Sequence, residues 1–439
     1  MLKLKPISYG RQFIDKEDIK AVMGVLKSDW LTQGPKIKAF EEALCAYTAA
    51  KYAVAVSSGT AALHLACLAA GIQAKDKVIT SPLTFMASAN CVLYAAGTPV
   101  FIDIDAETLN ISPEKIQYYI KHVNLQPKNK IKAIIPVHFA GHPCEMEQIS
   151  AIAKKQKLIV IEDAAHALGA KYKINELSDS RIKGFNNKNK EKWIKIGSCQ
   201  HSDMAIFSFH PVKSITTGEG GAVLTNNKEL YEKLLMLRTH GIIRNHNKFF
   251  NPLMRKSVNP LWYYEMQGLG FNYRLTDIQA ALGVSQLKKL DSFIERRREI
   301  VKLYFEAFKD NPYFDIPAEK DYAYSACHLY PILLKNGLKD RKKEIFAAFR
   351  IKGIGVQAHY IPVYLHPYYA SLGFKPGLCP AAEEVYQREI SLPLYPSLSL
   401  RQIKYVIDTT LEICERFFNE VNPALLTLNK LFIGKKGRD

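Results

Sequence analysis

The sequence predicts an α/β protein with a mostly parallel central sheet, helices on both faces and a smaller C-terminal α/β domain. The first observation is a series of short β-branched runs that alternate with helical patterns, at residues 53–56, 77–80, 99–103, 133–137, 158–161, 204–207 and 222–225. This alternation is typical of parallel sheets covered on both sides. The second is a later alternation of strand-like and helical segments, at residues 329–334, 354–359, 381–390 and 400–421.

The length of 439 residues and the 48% hydrophobic content predict a large core divided over two domains. We place a large domain at residues 1–260 and a linking segment with a small domain at 261–439. Amphipathic helices are expected at 277–290 and 291–308. Residues 172–200, whose centre is polar and basic, interrupt the rhythm, so a surface insertion or mobile loop is expected there.

Composition excludes several classes of protein. The eight cysteines are scattered, with no CxxC pair and no histidine at ligand spacing, so neither a disulfide framework nor a metal site is expected. Uncharged stretches at 52–72 and 78–102 contain Gly, Ser, Thr, Asn or Pro, which favours buried core over a membrane span. The N-terminus lacks the apolar stretch of a signal peptide, so a cytoplasmic location is expected. The net charge of +18 favours phosphate-bearing partners, but no stripe of basic and aromatic residues indicates nucleic acid.

Small polar residues follow the first predicted strand and begin a helix. Residues 57–60 read Ser-Ser-Gly-Thr, and the helical pattern 61–70 closes at Gly71. The free N–H groups at a helix start can bind a phosphate, but a simple Ser/Thr cap is the more common explanation of this motif taken alone.

A carboxylate follows another strand, because Asp163 lies just beyond residues 158–161. Parallel sheets place ligands at this end of their strands. The side chain could hold a metal, a ribose hydroxyl or a protonated heterocyclic nitrogen, or it could cap the next helix. Opposite the pyridine nitrogen of pyridoxal phosphate (PLP), a carboxylate keeps the ring protonated and able to accept electrons.

One lysine lies in a constrained loop beyond a further strand. Small and apolar residues surround Lys213 in the segment 207–221, and burial would lower its pKa and leave more neutral amine to attack an aldehyde. A solvated surface lysine is the alternative. Taken with the residue 57–60 motif and Asp163, Lys213 predicts a PLP enzyme in which it holds the cofactor as a Schiff base and carries the proton.

Ordered motifs over nearly the whole chain resemble the DegT/DnrJ/EryC1/StrS sugar aminotransferases. They lie at residues 30–35, 58–60, 81–85, 137–141, 162–167, 210–221, 237–241 and 271–277. The resemblance implies the fold-type I PLP-dependent transferase fold. The cofactor residues that it implies are Gly59, Thr60 and Ser208 for the phosphate, Phe85 stacked on the ring, Asp163 at the ring nitrogen, His166 at the phenolic oxygen and Lys213 as anchor.

The resemblance also implies a homodimer with shared active sites, because Asn272 matches a residue that reaches the phosphate of the neighbouring subunit's cofactor. Four further residues are expected to contact substrate, namely Arg274, His328, Tyr330 and His359. The family usually has a short hairpin where this chain has residues 172–200, so contacts near that segment are in doubt.

Residues 210–221, 328–331 and 357–362 most resemble family members of the pseudaminic acid pathway. That resemblance implies amino transfer from L-glutamate to C4 of a UDP-linked 4-keto-6-deoxy-N-acetylhexosamine. The alternatives are a 3-keto or dTDP-linked sugar, or a sugar dehydratase of the same fold that has histidine in place of the lysine. His210 lies three residues before Lys213, but the motif 216–221 aligns Lys213 with the anchoring position. A non-catalytic regulator is disfavoured, since it has no reason to keep both Asp163 and Lys213.

Overall fold

The computed structural model of the chain describes residues 5–123, 130–175, 191–256, 262–335 and 337–423. The strands in this part are β1 (Tyr52–Val56), β2 (Lys77–Thr80), β3 (Thr98–Phe101), β4 (Ile131–Ile135), β5 (Ile159–Asp163), β6 (Lys171–Asn175), β7 (Glu191–Lys195), β8 (Met204–Ser208), β9 (Gly221–Thr225), β10 (Ile242–Ile243), β11 (Glu265–Met266), β12 (Phe314–Asp315), β13 (Ala323–Tyr324), β14 (Tyr330–Leu334) and β15 (Glu389–Leu392).

The helices are α1 (Lys16–Leu26), α2 (Pro35–Thr48), α3 (Gly59–Ala69), α4 (Ala87–Tyr94), α5 (Pro113–His122), α6 (Met146–Gln156), α7 (Lys228–Arg238), α8 (Pro252–Lys256), α9 (Asp277–Leu287), α10 (Leu290–Phe308), α11 (Lys342–Ile351), α12 (Pro367–Ser371), α13 (Pro380–Arg388) and α14 (Leu400–Val421).

Seven strands form the central sheet, in the order β1-β9-β8-β5-β4-β2-β3. Strands β8, β5, β4, β2 and β3 pair in parallel, and β9 runs antiparallel to both β1 and β8. All seven β-branched runs of the sequence are strands of this sheet. The predicted mostly parallel sheet is therefore confirmed.

Helices cover both faces of the sheet because its strands are apolar on both faces. On one face, Val54 and Ile206 pack with residues of α3, α4 and α7. On the other, Ala55 and Phe207 pack with residues of α2, α6 and α9. The two uncharged stretches form β1, α3, β2, α4 and β3 within this core, as predicted.

A second core lies around the small sheet β12-β14-β15 and the helices α11 and α14. Helix α10 joins the two cores, since Ile294 packs in the first and Tyr304 and Phe308 in the second. Helix α9 packs on α1 and α2 of the large unit. The predicted division between residues 260 and 261 stays a prediction, and the two cores meet along α10.

Two parts of the chain differ from expectation. The run 354–359 forms isolated bridges, Ile354 with Ile7 and Gln357 with Ser391, instead of a regular strand. The ends of the 172–200 segment form the antiparallel pair β6 and β7, because Tyr172 and Ile194 are buried in the main core. Residues 176–190, at the centre of the predicted insertion, lie outside the described residues.

None of the helices described here is both long enough and apolar enough to cross a bilayer. All eight cysteines fall within the described residues and none is in a disulfide.

Candidate active site

A cavity of about 600 Å³ lies at the carboxyl ends of β1, β5 and β8. Parallel strands place their carboxyl ends at one edge of the sheet, so residues distant in sequence meet there. Residues 357–361, from the C-terminal part of the chain, form another part of the cavity wall. Eight predicted site residues line it, namely Gly59, Thr60, Phe85, Asp163, His166, Ser208, Lys213 and His359.

The start of α3 forms one wall of the cavity. Ser58 caps the helix by accepting a hydrogen bond from the Ala61 N–H at 3.0 Å, while the N–H groups of Gly59 and Thr60 lie in the first turn, where helices leave them without intrahelical partners. A Cβ atom on Gly59 would lie 2.8 Å from Cβ of Ser208, so only glycine allows this close approach. Free N–H groups and the hydroxyls of Thr60 and Ser208 lie together here, an arrangement that suits a phosphate.

Asp163 ends β5 at the base of the cavity and is 4% exposed. Burial raises the pKa of its carboxyl, and hydrogen bonds from the Ser88 hydroxyl and the Ala165 N–H, together with the charges of Lys213 and His138, act in the opposite direction. Oδ2 accepts the Ser88 hydroxyl at 2.5 Å and Oδ1 the Ala165 N–H at 3.2 Å. A buried carboxylate held in this way favours a cationic partner in the cavity.

Lys213 lies in the loop between β8 and β9, where its N–H donates to the His210 carbonyl at 2.9 Å. Burial lowers the pKa of its amine to about 8, although the charge of Asp163 acts to raise it. A substantial fraction of the amine is therefore neutral near physiological pH, as a nucleophile requires.

His166 and His359 line this part of the cavity, and His328 packs against His166. The ring of His166 lies 4.3 Å from that of His328, centroid to centroid, and its Nε2 contacts the Tyr360 hydroxyl at 3.2 Å. Burial lowers the pKa of both His166 and His328 well below the usual value, and that of His359 to about 3. All three rings are therefore neutral at physiological pH.

Not every predicted residue reaches this cavity. Asn272 is exposed and forms an isolated bridge with Thr239, and Arg274 forms one with Val56. His328 lies behind His166. Tyr330 packs against Tyr304 in the second core and lines a separate cavity of about 950 Å³, so the structure does not bring it to Lys213.

Ser88 and Tyr360 are among the cavity residues that the sequence did not single out. Ser88 faces Asp163 because both lie at the edge where α4 passes β5. Tyr360 follows His359 in the segment 357–361. Tyr360 lies within the motif 357–362, whereas no sequence signal marks Ser88.

The residues present suit PLP. The α3 start offers N–H and hydroxyl donors to a phosphate, and Asp163 offers a buried carboxylate to a protonated ring nitrogen. The Nδ1 atom of His166 is buried and has no hydrogen-bond partner among the described residues, so it can bind a polar group of the cofactor. Lys213 presents an amine of lowered pKa to an aldehyde.

This sheet, with a lysine and a buried carboxylate at its carboxyl edge, defines a PLP-dependent enzyme of the fold-type I class. The chain belongs to the DegT/DnrJ/EryC1/StrS aminotransferase family, which it matches over residues 12–411. It is therefore a PLP-dependent sugar aminotransferase.

Similar proteins include one curated transaminase and two solved structures. The chain is 41% identical over 410 residues to the UDP-4-amino-4,6-dideoxy-N-acetyl-beta-L-altrosamine transaminase of Campylobacter jejuni, covering 93% of this chain and 98% of that protein. Helicobacter pylori PseC, an aminotransferase involved in the biosynthesis of pseudoaminic acid, superposes with a TM-score of 0.80 at 35% identity, over 94% of this chain and 100% of PseC.

The putative sugar aminotransferase Spr1654 of Streptococcus pneumoniae, solved in PLP and PMP forms, also has a TM-score of 0.80 to this chain. The identity is 27%, and the PLP form is matched over 94% of this chain and 99% of Spr1654.

Proposed function

We propose that this enzyme transfers an amino group from L-glutamate to C4 of a UDP-linked 4-keto-6-deoxy-N-acetylhexosamine. The observation that carries the proposal is the end-to-end similarity to the Campylobacter jejuni transaminase, together with the lysine and carboxylate of the cavity. The similarity to PseC supports the same sugar class.

The residues of the cavity divide the work of holding the cofactor. In this proposal Gly59, Thr60 and Ser208 bind the phosphate, Phe85 covers the ring and Asp163 holds the ring nitrogen in its protonated form. Ser88 keeps the Asp163 carboxylate in place through its 2.5 Å hydrogen bond. His166 would contact the phenolic oxygen.

PLP, when bound, supplies a carbonyl that captures amines reversibly and a ring that accepts electrons. Lys213 would hold the cofactor through its side-chain amine. When free, this amine, with a pKa lowered to about 8, would take the proton from Cα of glutamate and, in the second half of the reaction, would give a proton to C4 of the sugar. One lysine can serve both purposes because it is released beside the carbon that exchanges the proton.

Incubation of the purified enzyme with L-glutamate and the UDP-linked 4-keto sugar tests the proposal. We expect stoichiometric 2-oxoglutarate and a 4-amino sugar, identified by mass spectrometry and NMR. Parallel reactions contain a 3-keto sugar and a dTDP-linked 4-keto sugar. Turnover of only these alternatives contradicts the proposed substrate, and loss of a sugar hydroxyl without 2-oxoglutarate indicates the dehydratase.

We further propose a cytoplasmic homodimer with shared active sites. Its support is a set of exposed apolar side chains within residues 250–256 and 262–269, where Phe250, Leu253, Trp262 and Leu269 are 70–80% exposed. A patch of this kind marks a protein interface, and exposed Asn272 lies just beyond it. The eight unpaired thiols fit a reducing compartment.

A further inference from the structure

A chain of hydrogen bonds runs away from the cavity behind His359. Its Nδ1 lies 2.8 Å from Oγ of Ser391, and that hydroxyl donates to Oε1 of Glu389 at 2.5 Å. The other carboxyl oxygen, Oε2, accepts the backbone N–H of His359 at 2.7 Å. Glu389 and Ser391 are 0% exposed and His359 is 7% exposed, so no bulk water competes for these contacts.

Strand β15 brings the two polar side chains to His359. Residues two apart on a strand share a face, so Glu389 and Ser391 point together while Ile390 and Leu392 pack in the second core. Backbone hydrogen bonds between Gln357 and Ser391 hold the cavity segment alongside the strand. The fold thereby fixes the position of the His359 ring.

The number of protons available in this chain of hydrogen bonds determines the tautomer of the His359 ring. A serine hydroxyl has one proton, and the proton of Ser391 goes to ionised Glu389. The contact between Ser391 and Nδ1 is then possible only if Nδ1 carries a proton and donates it. A neutral imidazole protonated at Nδ1 has its lone pair on Nε2. Nε2 of His359 makes no hydrogen bond to any described residue, and the ring lines the cavity with Lys213.

We propose that Glu389 and Ser391 are positioning residues that fix the tautomer of His359, so that Nε2 offers a lone pair to the cavity. Protonation of Glu389 reverses the direction of the hydrogen bonds between Glu389, Ser391 and His359. The acid then donates to Ser391, whose hydroxyl donates to Nδ1, and Nε2 becomes an N–H donor. Burial raises the pKa of Glu389 to about 7, against the opposing effects of Ser391, the His359 N–H and Lys342, so this reversal falls near physiological pH.

Other ionisable groups face this chain from the elements packed around it. Lys342 of α11 and Tyr360 act on Glu389, and the groups around the His359 ring are Lys213, His166, His328 and Tyr9. Burial and the charge of Lys213 lower the pKa of His359 to about 3, so the ring stays neutral while Glu389 titrates. The switch is therefore between two neutral tautomers.

If the proposed function holds, an acceptor at Nε2 of His359 distinguishes between the two substrates, glutamate and the sugar. The carboxylates of glutamate can only accept hydrogen bonds, and its one donor, the amino group, is the group that is transferred, whereas an N-acetylhexosamine has several O–H and N–H donors. We therefore expect Nε2 of His359 to accept a hydrogen bond from the sugar. Glu389 and Ser391 are expected to affect the sugar half of the reaction more than the glutamate half.

Histidine ring ¹⁵N NMR of the labelled PLP holoenzyme tests the tautomer directly, with the His359 signal assigned by its loss in His359→Gln. Wild type should show Nδ1–H above the Glu389 transition and Nε2–H below it. Glu389→Gln should show Nε2–H throughout, because the amide donates to Ser391, and Ser391→Ala should lose the pH dependence. Glu383→Gln is the matched control, because Glu383 of α13 accepts a hydrogen bond from Tyr364 and takes no part in the chain behind His359.

An unchanged His359 signal in Glu389→Gln, or a pH dependence that survives in Ser391→Ala, overturns the proposal; the second variant also covers misfolding of the first. In half-reaction kinetics above the transition, Glu389→Gln should lower kcat/KM for the sugar by about 10- to 100-fold and change the glutamate half by less than about 3-fold. Equal losses contradict the acceptor assignment. Inactivity of wild type towards the UDP sugar refutes the proposed function alone, because the NMR result stands without turnover.

Discussion

The hydroxyl of Ser88 donates a 2.5 Å hydrogen bond to Oδ2 of Asp163 at the base of the cavity. Helix α4 brings this serine to the end of β5, and the bond lowers the pKa of a carboxyl that burial raises. The pair therefore decides whether a charged carboxylate is available to a protonated ring nitrogen.

Replacing Ser88 with alanine should weaken the enzyme through Asp163. Loss of a buried hydrogen bond to a charged group costs about 1.5–3 kcal/mol, so we expect kcat/KM to fall by about 10- to 100-fold. The pKa of Asp163 should rise, which shifts the acid limb of the rate profile to higher pH. Ser150→Ala, at a buried serine of α6, is the control and should leave both quantities unchanged. An unshifted acid limb in Ser88→Ala contradicts this role.

The lowered pKa of Lys213 predicts how cofactor capture depends on pH. The amine is protonated below about 8 and neutral above it, so the rate of PLP association should rise through about pH 8 and then level off. An ordinary lysine would make the rate rise until beyond pH 10. Stopped-flow absorbance of the apoprotein measures this profile.

Borohydride treatment of the holoenzyme should fix the cofactor to the peptide that contains Lys213. Lys213→Ala should abolish this labelling, and Lys154→Ala, on the surface of α6, should retain it. Label on any other lysine refutes the assignment.

Enlarging Gly59 should displace the phosphate-binding turn. The new Cβ would lie 2.8 Å from Cβ of Ser208, so Gly59→Ala must shift β8 against α3. We expect a loss of about 1–3 kcal/mol in stability and at least about 10-fold weaker PLP binding. Gly24→Ala in α1, where no atom lies within 4 Å of the added carbon, is the control and should slightly stabilise the protein. Thermal unfolding and PLP titration distinguish the two.

Shared active sites predict complementation between inactive variants. If Asn272 reaches the neighbouring subunit's cofactor, a heterodimer of Lys213→Ala and Asn272→Ala contains one site with both native residues. Co-expression with two different tags should then restore activity to about half that of the wild-type dimer. Each variant alone provides the baseline. Absence of rescue in the doubly purified heterodimer places Asn272 in its own subunit's site or in none.

Much of the architecture follows from local pattern. The seven β-branched runs of the central sheet are all strands. A parallel sheet buries both of its faces, so its strands are apolar along their whole length and can be recognised in the sequence. The run 354–359 is also expected to be a strand but forms only two bridges, since its neighbours are Ile7 and Ser391 from opposite ends of the chain. Such long-range partners leave no mark in a local window.

The sequence by itself determined the sheet, the family and the small group of Gly59, Asp163 and Lys213. These three residues lie at strand ends or a helix start, and local sequence patterns predict where strands end and helices begin. Tertiary packing alone decided that Ser88 meets Asp163, that Glu389 and Ser391 stand behind His359, and that Tyr330 belongs to the second core. Hydrogen-bond direction and burial depend on the elements that pack together. They set the direction in which the pKa values of Asp163 and Lys213 shift.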